Sequence, residues 1–334
     1  MSLKDELARR RQSLSASNQT LLARRLKGEV PSEKPQTALT LAKRPEGETA
    51  YASFAQQRIW FLQQLEPETS IYNERISARV SGPFRLALLE NALRMLLERH
   101  ETLRTHFAVR EGQIEQVIIP AAQARVPLTY QNVSELDPQA REAWVQEAIL
   151  REHLQPFDLA SGLLWRTTLF QLDKEEHILL TLMHHIICDA WSISIFNREL
   201  FACYDAICTG RPVPLKPLQV QYVDFAYWQR QWFEKQNPLE RQFAYWQKQL
   251  SGTLPVLELP TARPRPTMQS YRGSHQPIVI SQSDYQAIQG LGKQEGVTPF
   301  MILLAAFAVV LSLYSQQQDI LIGTLIAGRT HPEL

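Results

Sequence analysis

Residues 177–190 read His-Ile-Leu-Leu-Thr-Leu-Met-His-His-Ile-Ile-Cys-Asp-Ala, and an amphipathic stretch beginning near Trp191 follows at once. The run from His177 to Met183 is almost continuously apolar, the pattern of a strand buried on both faces. Downstream, Ile193, Phe196, Leu200, Phe201 and Tyr204 recur at helical spacing, so the strand hands over directly to a helix. A strand feeding a helix, with further helices interspersed among strands, predicts an α/β sandwich whose helices cover a sheet.

Two imidazoles and a carboxylate are costly in an apolar run unless hydrogen bonds or a function compensate them. His184, His185 and Asp189 are therefore the most chemical cluster in the chain. Adjacent strand residues point to opposite faces, so one imidazole looks into a given cavity while the other packs behind it. Asp189, at the mouth of the helix, suits an N-cap or an ion pair that shapes the turn. A metal site from these three residues is disfavoured, because adjacent strand histidines diverge and no HExxH or CxxC spacing occurs. Cys188 has no base placed beside it by sequence and reads as a buried core thiol.

The 334 residues carry 44% hydrophobic content and a formal charge of +1, enough for two cores of ordinary size. That near-neutral balance, without basic residues interleaved with aromatics, argues against nucleic acid as a partner. Cys188, Cys203 and Cys208 have no disulfide-framework spacing, which fits small core thiols in a reducing cytoplasm. Leu3, Leu7 and Arg9-Arg10-Arg11 at the N-terminus do not make the long apolar stretch of a secretory signal. No membrane span is expected, since the most apolar run, 299–314, is shorter than the roughly 20 residues a bilayer requires. Thr298 as N-cap and Pro299 at the first helical position mark that run as a helix buried in a core.

Residues 1 to about 28 read as two short helical pieces around the Ser13–Ser17 break, with Leu21, Leu22 and Leu26 beside Arg24, Arg25 and Lys27. Such a piece needs a partner surface. The polar stretch from Gly28 to Gly47, with Pro31, Pro35 and Pro45, reads as a linker. Helices are predicted over 85–99 and 137–154, and strands over 113–119 and 165–172. Beyond Pro255, Pro260, Pro264 and Pro266 the pattern predicts a strand over 276–280, a helix over 284–294, the helix from Thr298 and a strand over 319–326.

Five stretches in order carry a resemblance: 53–60 (SFAQQRIW) continuing to Pro67, 99–105 (RHETLRT), 184–190 (HHIICDA), 222–228 (YVDFAYW) and 322–330 (IGTLIAGRT). They resemble the successive core motifs of nonribosomal peptide synthetase condensation domains, the third matching the family's HHxxxDG. The resemblance implies a chloramphenicol-acetyltransferase-like fold of two similar lobes. Residues 1–47 would be an N-terminal helical linker or docking segment, 48–228 the complete N-terminal lobe and 229–334 the start of a C-terminal lobe. Because the family's sequence continues past the motif ending at Thr330, the resemblance also implies that the chain is C-terminally truncated.

The activity so implied is amide formation between a donor acyl thioester and the amine of an acceptor aminoacyl thioester, each carried by the phosphopantetheine arm of a peptidyl carrier protein. No intrinsic cofactor is implied. The 53–67 stretch looks most like the subtype that joins two L-configured residues. By resemblance His185 is the reactive histidine, as a base or as a group that orients the amine, with His184 packing behind it. Asp189 would pair with Arg329, Arg104 or Arg99. Ala190 stands where the family has glycine, which adds a methyl group at a point of close approach. Expected partners are the two carriers, a downstream adenylation domain and, through residues 1–28, an upstream synthase component. Two other readings stand beside this one: an acyltransferase of the same superfamily with a soluble acceptor, and a non-catalytic remnant that binds carriers.

Overall fold

The computed structural model describes residues 40–329, apart from 237, 262, 265–266, 268–272 and 274–275, together with 331 and 333. The expected helical pieces of residues 1–28 lie outside the described residues. Two compact units result, one running to Ala244 and taking in the segment from Ile326 onward, the other spanning Tyr245–Leu325.

In the first unit the elements are α1 (Phe54–Leu65), β1 (Asn73–Ser81), α2 (Leu86–Arg99), β2 (Thr105–Arg110), β3 (Gln113–Ile118), β4 (Leu128–Asn132), α3 (Pro138–Leu154), β5 (Trp165–Asp173), β6 (Glu176–His184), α4 (Ala190–Thr209) and α5 (Tyr222–Gln236). Four strands form a sheet in the order β1-β6-β5-β4, while β2 and β3 make a separate antiparallel pair. The sheet is antiparallel except where β4 runs parallel to β5, a crossover that α3 completes.

β6 is flanked on both sides, with Asn73 opposite His184 and Trp165 opposite Met183. Every side chain from His177 to His184 is buried, which is why the segment reads as an unbroken apolar run. Trp165 and Phe170 point to opposite faces of β5. Phe196 of α4 packs edge-on against Trp165 at 6.1 Å, and Trp144 of α3 against Phe170 at 6.2 Å. Helix α4 therefore covers one face of the sheet and α3 the other, and α2 lays its Leu89-Leu93-Leu96-Leu97 stripe beside α4.

Caps fix where these helices begin and end. Asp137 accepts from the Gln139 and Ala140 N–H groups at the start of α3, with Pro138 at the first helical position. At its far end the orphan carbonyls of His153 and Gln155 accept from the Asn73 amide at 2.7 and 2.8 Å. Arg166 adds hydrogen bonds to the Glu152 and Gln155 carbonyls, both 2.6 Å. Asn73 is the residue paired with His184, so the end of α3 is anchored beside the histidine pair.

The structure corrects several expectations. The end of the expected linker is docked, with Leu41 buried and the Arg44 N–H donating to Asp224 at 2.8 Å. Beyond Trp228 the chain continues as helix, through α5 and then α6 (Pro238–Gln249), where no helix was predicted. Cys188 and Cys203 are buried, but Cys208 is exposed, because it lies off the stripe of α4 that faces the core.

In the second unit α7 (Gln282–Glu295) and α8 (Pro299–Ser315) pack together. Thr298 caps α8 by accepting from the Met301 N–H, with Pro299 in its first turn. The predicted burial of α8 does not hold: Phe307 is 51% and Leu313 66% exposed, and none of its residues is buried. The stretches 276–280 and 319–326 carry no regular secondary structure and pair with no strand among the described residues. Both corrections have one physical root, since without a ladder in this unit α8 has no sheet to cover. No single helix among the described residues is long and apolar enough to cross a membrane.

Candidate active site

His184 ends β6 and His185 follows it, its N–H bonded to the Tyr72 carbonyl at 2.7 Å so that the ladder continues for one more residue. The alternation of faces then separates the two imidazoles. His184 is 1% exposed and lies against the Tyr72 and Phe157 rings, with centroids 5.9 and 6.2 Å away. Its Nδ1 accepts from the Ile186 N–H at 3.1 Å, and its Nε2 lies 3.3 Å from Gln63 Oε1. Gln63 turns its amide NH2 to the Pro67 and Thr69 carbonyls, so its oxygen faces the imidazole and the ring proton belongs on Nε2. Burial, with the neighbouring His185 adding to it, pushes the His184 value down to about 3. His184 is a neutral, fully partnered core imidazole.

A pH dependence of stability follows. The unfolded imidazole takes up a proton near its ordinary value of 6.5, whereas the folded one excludes it down to about 3. Stability from this group is complete above 6.5 and is lost as pH falls toward 3, at about 1.4 kcal/mol per unit. His106, His153 and His177 are also lowered, burial being the first cause in each, so the comparison must be with His184→Gln. Urea midpoints of the two chains should converge as pH falls from 7 to 4; parallel curves would refute the assignment.

His185 faces the other way. Its side chain is 38% exposed, and its Nδ1 lies 3.5 Å from Glu74 Oε1 of β1. Just beyond it, Asp189 caps α4. Its Oδ1 accepts from the Ser192 N–H at 2.8 Å and from the Ser192 hydroxyl at 2.6 Å, while Ser192 Oγ accepts from the Asp189 N–H. Arg329 spans both carboxylate oxygens at 2.9 and 3.0 Å. Burial alone would raise the Asp189 carboxyl; the two Ser192 bonds and Arg329 outweigh it and hold the group below the usual range. The N-cap and ion-pair readings of Asp189 therefore both apply.

Of the three arginines offered as partners for Asp189, the structure selects Arg329. Arg99 is engaged by Glu199 at 3.1 Å and by the Lys216 carbonyl at 2.6 Å. Arg104 is engaged by the Ile119 carbonyl at 2.8 Å and by Glu101. Both are held by other acceptors, Arg99 by Glu199 of α4 and Arg104 by the Ile119 carbonyl and Glu101 close to it. Ala190 occupies the first turn of α4, and among the described residues only Glu111 and Gln316 are non-glycines with positive φ. Its methyl group thus meets no left-handed backbone strain. The Ala190 and Trp191 N–H groups in that turn have no intrahelical acceptor. Burial, with Glu74 and Asp189 adding to it, pushes the Cys188 thiol far up, so it is no nucleophile.

Separating the two roles of Asp189 is an experiment. Asp189→Ala removes the cap and the half-exposed ion pair, with an expected cost of about 1–3 kcal/mol. Asp189→Asn keeps an acceptor at the cap and should cost about 1 kcal/mol or less. Thermal melts of both variants check the ordering.

The 53–60 stretch and Arg329 meet the 184–190 turn, and hydrogen bonds link Ser53 to Tyr222 and, through Gln221, the segment beside Tyr222 to residues 99–101. Ser53 Oγ lies 2.9 Å from the Tyr222 hydroxyl, and the Phe54 N–H donates to Gln229 at 3.0 Å. Gln56 donates to the Ile186 carbonyl at 3.3 Å. Gln221 donates to the Arg99 carbonyl and accepts from the Glu101 N–H. Sequence reasoning missed Gln63, Glu74, Ser192 and Glu199. Gln56, Ile59 and Gln63 share the buried stripe of α1, and polar residues on such a stripe were the signal to follow. Glu199 carried a similar one, lying on the buried stripe of Phe196, Leu200 and Cys203, where His100 at 2.6 Å and Arg99 satisfy it. Among the described residues no group of three or more His, Cys, Asp or Glu gathers as a metal site would require.

The family model described as "Condensation domain" matches residues 46–334. The chain is 39% identical over 312 residues to a component of the linear gramicidin synthase of Brevibacillus parabrevis, 93% of this chain but 4% of that protein. It is 35% identical over 332 residues to phosphinothricin tripeptide synthetase PhsC of Streptomyces viridochromogenes, 99% of this chain and 30% of that one. The chain thus spans less than a third of the length of either relative. The X-domain from teicoplanin biosynthesis superposes with a TM-score of 0.69 at 29% identity, over 82% of this chain and 59% of that chain. An X-domain from the same biosynthesis has also been solved in complex with OxyB. The first condensation domain of the CDA synthetase shares the fold, with a TM-score of 0.66 at 22% identity, over 82% of this chain and 64% of that one. The mixed α/β sandwich and the HHxxxD turn are thus those of a family, and the chain belongs to the condensation domains of nonribosomal peptide synthetases.

Proposed function

We propose that this chain joins a donor acyl thioester to the amine of an acceptor aminoacyl thioester, each delivered on the phosphopantetheine arm of a peptidyl carrier protein. The observation that carries the reading is the division of labour in the histidine pair: His184 is buried, neutral and fully bonded, while His185 is left open beside the start of α4. The acceptor nitrogen attacks the thioester carbon, a C–N bond forms and the C–S bond breaks. The amine proton passes to His185 Nε2 and on to the departing thiolate sulfur. The developing oxyanion is met by the free N–H groups of the first turn of α4, whose dipole favours negative charge there. Asp189, held by Ser192 and Arg329, shapes that turn.

In this reading residues 48–228 belong to the N-terminal lobe and 229–334 to the C-terminal one, and residues 1–28 dock an upstream synthase component. A downstream adenylation domain, a preference for two L-configured residues and a cytoplasmic setting belong to the same proposal. The test is a mass-spectrometric condensation assay with an acyl-loaded donor carrier and an aminoacyl-loaded acceptor carrier. Product with the carrier-bound acceptor but not with the free amino acid supports it, and the reverse preference would assign the soluble-acceptor chemistry. One observation favours a second, non-catalytic reading, namely the likeness to an X-domain solved with OxyB. Carrier binding without any product from a cooperatively folded sample would select that reading.

A further inference from the structure

We infer that Glu74 is a positioning residue for His185, holding the imidazole with its proton on Nδ1 and its basic lone pair on Nε2. The inference rests on the amide-forming reading above and deepens it, because a base at Nε2 must keep that nitrogen unprotonated until the amine arrives.

The geometry comes from the sheet. In β1, Glu74 sits opposite Met183, on the face that His185 shares and His184 does not. The His185 N–H bond to Tyr72 fixes the backbone so that the imidazole is carried toward Glu74. Nδ1 is shielded from solvent and has no hydrogen-bond partner, yet Glu74 Oε1 is only 3.5 Å from it. A buried ring nitrogen without a partner is costly, and a small rotation of the half-exposed Glu74 closes the gap. Catalytic hydrogen bonds are often long before substrate binds. Among the described residues Glu74 is the one carboxylate within ion-pair distance of this ring.

The chemistry explains why the contact matters. A free imidazole favours the proton on Nε2, which would leave the wrong nitrogen facing the amine. A carboxylate at Nδ1 reverses that preference and then stabilises the imidazolium formed when Nε2 takes the amine proton. That proton returns to the leaving thiolate, so Glu74 itself never loses or gains one. Cys188 Sγ is tied to the His184 carbonyl and Asp189 to Ser192 and Arg329, so neither competes for Nδ1.

The experiment pairs kinetics with imidazole ¹⁵N NMR on the folded chain, using His185→Ala, Glu74→Leu and Glu74→Gln. Glu74→Leu should lower kcat by about tenfold with KM for the acceptor carrier unchanged, less than a fully buried dyad loses because both groups are part-exposed. Its His185 signals should move toward the Nε2–H tautomer. Glu74→Gln keeps an accepting oxygen, so it should retain the Nδ1–H signature and lose about threefold in kcat. If His185→Ala abolishes product while Glu74→Leu changes neither kcat nor the tautomer, the role of Glu74 is overturned and the amide-forming reading stands. If His185→Ala leaves product formation intact, that reading fails first, and the tautomer shift alone then reports whether Glu74 holds the ring.

Discussion

Replacing His185 with alanine is expected to slow amide formation by about 10²- to 10⁴-fold while leaving the thermal transition of the domain within about a degree or two of its starting value. The rate range is what a positioned general base contributes, and the upper part applies if His185 both takes the proton and orients the amine. The small stability cost follows from its place: the side chain is 38% exposed, and its structural bond runs through the backbone N–H to Tyr72, which alanine retains. His184→Ala is the contrasting variant. It removes an imidazole that fills space between Tyr72 and Phe157 and leaves Gln63 and the Ile186 N–H without their partner. Its loss of activity should therefore come with loss of fold, whereas that of His185→Ala should not. Single-turnover rates beside calorimetric melts separate the two.

The largest effect on stability should come from Trp165→Ala. Trp165 is 1% exposed, lies edge-on to Phe196 and donates from its indole N–H to the Leu103 carbonyl at 2.7 Å. Truncating a buried ring of this size costs about 3–5 kcal/mol, and leaving the Leu103 carbonyl unpartnered adds about 1–3 kcal/mol. Losses of that size take up most of the stability of an ordinary domain, so the variant should be largely unfolded at 37 °C. Trp165→Phe keeps the aromatic contact and loses the bond, for an expected cost of about 1–3 kcal/mol. Urea unfolding with a constant slope distinguishes loss of stability from loss of compactness. The bond also joins β5 to the turn that carries Arg99, His100 and Arg104, so Trp165→Phe should perturb that motif without touching His185.

How much was legible depended on whether the deciding physics was local. β6 and α4 were readable because a strand buried on both faces and a helix with one apolar stripe each leave a periodic trace. The caps at Asp189 and Thr298 were readable for the same reason, since a cap is a contact over three residues. β1 was not read: at the edge of the sheet it mixes Glu74, Arg75 and Arg79 with Ile76 and Val80, and only its pairing to β6 makes it a strand. α5 and α6, rich in Gln, Trp and Tyr, hid their helical period behind large polar-tipped aromatics. Stretches 276–280 and 319–326 show the reverse error, apolar alternation that finds no ladder.

In the site, the resemblance and the alternation of faces named His184 and His185, but alternation alone could not say which one faces outward. Burial decides that. Three arginines were equally plausible for Asp189 because an ion pair across 140 residues leaves no spacing to read. Arg99 drops out only once Glu199, on a helix a hundred residues away, is seen to hold it.

The position of His185 one step beyond β6 has a consequence for hydrogen exchange. The strand that carries it is the inner one, bonded to β1 on one side and β5 on the other, so its amides can open only when the whole first unit does. Amides of β6 should exchange among the slowest in the domain, and the His185 amide, bonded to Tyr72, should follow them. The His185 side chain, the proposed reactive group, then has no private route to melting: a population that has lost its setting has lost the sheet, and residual activity in denaturant should trace the same curve as deuterium uptake along β6.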